Sequence, residues 1–395
     1  MKASKITYKH TIYACFVGYI TQAIVNNFAP LLFLTFVSSY DIPLSKITLL
    51  VTFNFGFQLF IDAVSPRFID KIGYRISMIA AHVFAALGLI SLTILPGMFD
   101  DSFIGLLLAV LIYAIGGGLL EVLVSPVVEA CPSDNKEAAM SLLHSFYCWG
   151  HVGVVLISTL YFTVFGIENW KYLAYFWALV PALNCISFTK VPIATLIEEG
   201  ETGLSLGELF KNKIFWLFMI MMVSAGASEQ AVSQWASAFA EAGLGVDKTV
   251  GDLAGPMLFA IFMGISRAIY GKYGDRIKLE SYMLFSGTLC IISYLLISLS
   301  PIPLLSFIGC AICGFSVGIM WPGTFSMAAA GIKNGGTLMF ALFALAGDVG
   351  CSAGPTIVGM VSSAAGNNLK LGTLVAIFFP ILCIICCITK MKHVK

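Results

Sequence analysis

From residue 11 onward the chain reads as apolar runs of about twenty residues separated by short polar turns. A helix rises about 1.5 Å per residue, so each run is long enough to cross a hydrocarbon core of about 30 Å. Twelve such helices are predicted, at residues 11–37, 44–69, 75–97, 103–131, 137–165, 171–189, 213–240, 249–272, 280–299, 302–329, 336–364 and 369–390. Lipid offers no partners to backbone N–H and C=O groups, so only helices and closed barrels span it. A barrel would show alternating segments of about ten residues instead. The predicted class is an all-α integral membrane protein.

The longest polar stretch runs from Lys190 to Lys213 and holds Glu198, Glu199, Gly200, Glu201, Gly203 and Glu208. It separates an N-terminal six-helix bundle, 1–189, from a C-terminal one, 213–395, with 190–212 as a cytoplasmic linker. The bundles repeat one another at an offset of about 200 residues. Gly18, Gln22, Ala23, Ile24 and Asn26 match Gly226, Gln230, Ala231, Val232 and Gln234. Asp62 through Lys71 matches Arg267 through Arg276, and Gly118 and Pro126 match Gly314 and Pro322. Gly150-His151-Val152-Gly153 matches Gly347-Asp348-Val349-Gly350. A parallel six-plus-six repeat is the plan of transporters that rock around a site at the bilayer midplane.

Charge sets the orientation. With both termini inside, all 22 Lys and Arg fall in cytoplasmic segments except Lys46, Lys171, Lys248 and Lys370 on the other face and Arg267 within a helix. The expectation is a multi-pass protein of the inner or plasma membrane with both termini cytoplasmic. Lys2, Lys5 and Lys9 precede the first apolar run as in a signal peptide. That run is too long and lacks a convincing cleavage site, so it reads as a retained first helix.

Composition agrees: of 395 residues, 59% are hydrophobic and 11% charged, against about 25% charged in a soluble domain. A net charge of +1 with no run of like charges gives no reason to expect nucleic acid or an acidic partner. Cys310 and Cys313, like Cys383 and Cys386, have CxxC spacing. Their apolar surroundings and the want of a second ligand pair mark them as packing residues, so neither a metal nor another cofactor is expected. No Gly-Lys-Ser/Thr follows Gly116-Gly117-Gly118, which removes support for ATP-driven transport. Neither a zinc-protease motif nor a nucleophile elbow is found, and an enzyme is not expected.

The chain resembles the major facilitator superfamily along essentially its whole length. That family's cytoplasmic signature appears as Asp70-Lys71-Ile72-Gly73-Tyr74-Arg75, with Pro66 in place of the leading Gly, and again as Gly271-Lys272-Tyr273-Gly274-Asp275-Arg276, with Lys278 where a second Gly would fall. Within the superfamily, Gly116-Gly117-Gly118-Leu119-Leu120-Glu121 with Ser125-Pro126 resembles the fucose permease group, whose run ends in Asn-Pro. Gly226-Ala227-Ser228-Glu229 with Trp235, and Leu142-Leu143-His144-Ser145-Phe146, resemble the same group. The resemblance implies a twelve-helix fold of two pseudo-symmetric bundles and a sugar–proton symporter.

An ionisable group at the bilayer centre costs at least a few kcal/mol, so each one marks a functional site by default. Counted from the predicted helix ends, Glu121, His151, Glu229 and Asp348 lie near mid-depth on four helices. Gln22, Asn26, Asn27, Asn54, Gln58, Gln230 and Gln234 lie at similar depth, with Trp149, Trp235 and Trp321 as platforms for a sugar ring. Glu121 stands alone in an apolar helix, where desolvation favours its protonated form and suits it to carry a proton. The alternative is a neutral carboxyl bonded to a neighbouring helix. Glu229 with Gln230 and Gln234 suits solute hydrogen bonding or a structural pair.

His151 and Asp348 occupy matching repeat positions and would face one another if they pair, or be satisfied separately. His144 lies seven residues before His151 on the same helix face, either in the binding set or as a buried imidazole bonded to a carbonyl. His82 has no polar companion in the sequence and reads as packing. Asp62 and Arg267 each precede a loop Asp by eight residues, about 12 Å up the helix. They join Asp70, Arg75, Asp275 and Arg276 as a cytoplasmic gate, against simple interfacial anchoring.

The reading from sequence is a monomeric secondary transporter, with a small-molecule solute, a coupling ion and the lipid bilayer as its partners. Proton-coupled sugar symport by alternating access is the first expectation. Sodium-coupled uptake, an efflux antiporter for amphipathic compounds, and a non-transporting nutrient sensor are the alternatives.

Overall fold

A computed structural model of the protein describes residues 6–132, 136–193, 204–273, 277–332 and 336–393. Among them, twelve helical stretches are long and apolar enough to cross a membrane. We number these α1 (Tyr8–Tyr40), α2 (Leu44–Ile72), α3 (Tyr74–Ile94), α4 (Ser102–Ala130), α5 (Lys136–Phe165) and α6 (Trp170–Lys190). The rest are α7 (Lys213–Ser233), α8 (Lys248–Tyr270), α9 (Leu279–Leu299), α10 (Pro303–Phe325), α11 (Gly336–Ala364) and α12 (Leu369–Lys392). The all-α, twelve-helix expectation holds.

Several of the helices begin where the sequence supplies a side-chain acceptor for their free N–H groups. Asp101 accepts from Phe103 N, Asn212 from Ile214 N and Asn368 from Leu371 N. Gly73, at φ 83°, reverses the chain between α2 and α3, a conformation that a side chain would strain. Before α7 a short helix, Leu206–Lys211, is closed by a reciprocal cap between Ser205 and Glu208. Residues 194–203 of the expected linker lie outside the described residues.

The chain packs as two compact units: Met1–Ile42 with Gly56–Glu198, and Pro43–Phe55 with Glu199–Lys395. The start of α2 thus belongs to the second unit, where Ser352 Oγ donates to Thr52 O at 3.3 Å. Within the first unit α1 packs on α5, and α3 on α4 and α6. Within the second, α7 packs on α11, and α9 on α10 and α12, which is the same arrangement and matches the sequence repeat.

Small residues set these approaches. A Cβ on Gly226 would stand 2.2 Å from Gly347 O, and one on Gly350 2.0 Å from Val223 O, so α7 and α11 touch backbone to backbone. In the first unit a Cβ on Gly116 would meet Ala81 O at 2.6 Å, and one on Gly117 would meet the Gln58 amide at 2.9 Å. The glycines expected to let helices approach do so.

Several helices depart from the continuous runs expected, α1 at Ala29–Leu32, α8 at Leu253–Met257 and α12 after Val375 among them, and two of the breaks have a clear substitute partner. The α-helix of α7 stops at Ser233 rather than near 240 and gives way to Ala236–Ala238 and a π-helical turn, Phe239–Gly243. Trp235 sits at this break with its indole N–H donating to Pro355 O at 2.9 Å, which ties the break to α11. In α10 the α-helix pauses between Val317 and Met320, and Arg267 Nε donates to the Gly318 carbonyl at 3.3 Å. A broken helix in lipid needs such a substitute partner.

Candidate functional site

In the first unit, α1 presents Tyr19, Gln22 and Asn26 at spacings of three and four, one face of a helix. Each meets a polar group from another helix. Tyr19 Oη and Ser125 Oγ are hydrogen-bonded at 2.8 Å. Gln22 Nε2 donates to the Glu121 carboxyl, and Gln58 Nε2 donates to Asn26 Oδ1 at 2.9 Å. On the same helix Asn27 donates to Ala23 O at 2.9 Å and to Tyr147 Oη at 3.4 Å. Glycines 117 and 118 of α4 make room for α2, a Cβ on Gly118 falling 3.1 Å from Asp62 Oδ1. The result joins α1, α2, α4 and α5 through polar side chains.

The second unit repeats the design with different atoms. Gln230 Nε2 donates to Glu229 Oε1 at 3.2 Å, and Gln234 Nε2 donates to Gln230 Oε1 at 3.0 Å. Here the carboxyl comes from α7 itself, whereas in the first unit it is delivered by α4. Arg267 Nη2 of α8 lies 3.8 Å from Glu229 Oε2. Asp348 and Asn54 are buried in this unit and His151 in the first.

Several sequence expectations change. Glu121, alone on its own apolar helix, is bound by Gln22 from α1, the neighbouring-helix contact expected as the alternative. His82 has polar companions: its Nδ1 lies 2.7 Å from Met78 O and its Nε2 accepts from Asn184 Nδ2 at 2.8 Å. Arg267, expected with the loop charges of a cytoplasmic gate, instead reaches Glu229 of α7 with its long side chain. Arg75 donates to Phe188 O at 2.7 Å and Val191 O at 2.8 Å, capping the end of α6. Asp275, Arg276 and the side chain of Asp70 lie outside the described residues.

Of the three tryptophan platforms, Trp235 is 1% exposed and packed against α11, and the Trp321 ring lies over Gly347, where a Cβ would meet it at 2.2 Å. Trp149 is 48% exposed. His144 is also exposed, its ring 5.3 Å from that of Tyr19, so it is not a buried imidazole. The cysteines Cys310, Cys313, Cys383 and Cys386 are buried free thiols.

Sequence reading passed over Tyr19, Tyr147 and Asn184. Tyr19 was within reach, because it lies three residues before Gln22 and seven before Asn26. Asn184 Nδ2 also donates to Ala14 O at 2.9 Å, and nothing in its apolar helix signals that. A further cluster sits before and within the start of α8. Lys248 Nζ is 3.2 Å from Asp252 and 3.7 Å from Glu241, and Ser237 Oγ donates to Asp252. Burial, with Asp252 nearby, pushes the Glu241 carboxyl above its usual range against the opposing pull of Lys248.

The profile of the Major Facilitator Superfamily matches residues 14–389. No curated protein matches the chain. Among solved structures, a bacterial homolog of the human lysosomal transporter Spinster, inward-facing and occupied, superposes with a TM-score of 0.74 at 13% identity, over 99% of this chain and 98% of that one. The E. coli fucose:proton symporter gives 0.65 at 15% identity, over 97% and 99%. A D-xylose–proton symporter gives 0.74 at 13% identity, over 94% and 97%. At these identities the likeness is one of fold.

Proposed function

Because the chain belongs to the Major Facilitator Superfamily and is a multi-pass membrane transporter, we propose that it takes up a small polar solute, a sugar, in symport with a proton. The observation that carries this reading is the bond between Gln22 and Glu121, a carboxyl held by a neutral amide within a helical bundle. A carboxyl so placed holds a proton in one state and accepts an N–H in the other, as a proton carrier must. Gln58–Asn26 and Gln230–Gln234 supply paired amide donors and acceptors of the kind that recognise sugar hydroxyls. Two of the structural neighbours are a fucose:proton and a D-xylose–proton symporter, which supports the same class.

In this account both termini are cytoplasmic, and proton and solute bind together before the polar groups open to the inside. An inward proton gains about 2.3 kcal/mol per 100 mV of membrane potential, enough for about fortyfold accumulation. The test is uptake of labelled sugars into vesicles under an inside-alkaline pH gradient. Accumulation should appear only with the gradient and vanish with a protonophore. Accumulation driven by a sodium gradient alone, or none for any sugar, would replace this reading with one of the alternatives.

A further inference from the structure

The two units treat matching glutamines differently. Gln230 has both ends of its amide in use, Nε2 on Glu229 and Oε1 under Gln234. Its repeat mate Gln22 has only Nε2 in use, on Glu121, while its Oε1 is buried without a hydrogen-bond partner. Gln22 is 2% exposed, so this acceptor is buried. An acceptor left unmade in a buried layer is costly and calls for a reason. Asn26, four positions on, turns its Oδ1 to the Gln58 amide.

A primary amide is nearly symmetric in shape, and a half-turn about its last bond exchanges donor and acceptor without changing volume. An ionised Glu121 only accepts, and the observed orientation serves it. When Glu121 takes up a proton, a new O–H bond forms at the carboxyl and that O–H needs an acceptor. The idle Oε1 of Gln22 is the right group on the right residue.

We propose that Gln22 is a positioning residue whose amide reverses when Glu121 gains its proton, so that the protonation state of Glu121 sets which end of the amide α1 presents to a solute. The proposal rests on the reading of Glu121 as the proton carrier. With Glu121 ionised the outer end of the amide is an acceptor; with Glu121 protonated it is a donor. When alternating access opens this buried layer, a solute that offers an acceptor oxygen at that point, such as a sugar ring oxygen, is then held only alongside the proton. This is a physical route from proton binding to solute binding. The second unit lacks it, since the Gln234 amide pins the carbonyl of Gln230.

The test needs no solute. The full chain in lipid, labelled with isotopic glutamine side chains, is taken through pH steps and read by infrared difference spectroscopy. The wild type should show a carboxylic acid band that Glu121→Gln removes, and a side-chain amide shift that follows the same pH course. Gln22→Met should keep the acid band but move it to higher frequency, for want of a hydrogen bond, and lose the amide shift. Gln230→Met should keep both signals. If the Glu121 band appears but Gln22→Met leaves it unmoved, or the amide shift survives, the reversal is wrong while the proton reading stands. Absence of any band dependent on Glu121 overturns both. Should Gln22→Met fail to fold, Gln22→Leu takes its place in the same comparison.

Discussion

Asn184 is the residue whose replacement tests the packing of the first unit most sharply. From α6 its amide donates to Ala14 O of α1 and to His82 Nε2 of α3, and the His82 ring lies 5.1 Å from that of Phe188. Ala14 precedes Gln22 by eight residues, about 12 Å of helix, so this grip fixes the height and rotation of the segment that carries Gln22. Asn184→Leu keeps the volume and deletes both donors. Interhelical hydrogen bonds in a bilayer average about 0.6 kcal/mol and reach about 1.7. Leaving His82 Nε2 as a buried acceptor adds about 1–3 kcal/mol. A loss of about 2–3 kcal/mol is expected once the apolar gain of leucine is allowed for. His82→Phe retains the ring against Phe188 and the bond from Asn184 to Ala14, and should cost about 1 kcal/mol. The double variant leaves no orphaned imidazole and should cost less than the sum by at least about 1 kcal/mol. Reversible denaturation in mixed micelles, read by labelling of the buried thiols Cys15 and Cys148, gives all three values. Additivity within about 0.3–0.5 kcal/mol, or a neutral Asn184→Leu, would refute the network.

Two other perturbations have definite outcomes. Gly350→Val places a Cβ 2.0 Å from Val223 O and should cost about 3 kcal/mol or more, whereas Ala at the repeat mate Gly153, which has nothing within 4 Å, should stay within about 0.5 kcal/mol; equal melting shifts for the pair would contradict the backbone contact of α7 and α11. The folded state holds the Glu241 proton more tightly than the unfolded chain does, so that contribution is present at acid pH and is lost as pH rises through the raised value. Glu241→Gln should therefore gain melting temperature over the wild type as pH climbs past the ordinary carboxylate range, and a difference independent of pH would show the shift is absent.

The twelve helices were legible because lipid demands a long, unbroken apolar run from each, a signal far stronger than propensity. The glycine contacts were legible for a related reason, since Gly116 and Gly350 recur where helices meet. The breaks in α7 and α10 were not, because hydropathy reports what side chains tolerate and says nothing of which carbonyl finds a substitute donor. Arg267 was assigned by depth alone, which does not report where a long side chain reaches, here to Glu229. Gln22, Asn26 and Glu121 were found one by one as polar residues at mid-depth. Their joining required the rotation of each helix, which twelve nearly uniform apolar stretches do not reveal. Asn184 and His82 stayed hidden because each is set among apolar neighbours in the sequence, and only the fold makes them a pair.

The central claim is that Glu121 carries the proton that drives sugar uptake. The most direct measurement is external pH in lightly buffered proteoliposomes as hexoses, deoxy sugars and amino sugars are added in turn, with Glu121→Gln alongside. The account predicts alkalinisation on addition of a transported sugar and none in the variant. Silence across the panel, or alkalinisation that persists in Glu121→Gln, would contradict it.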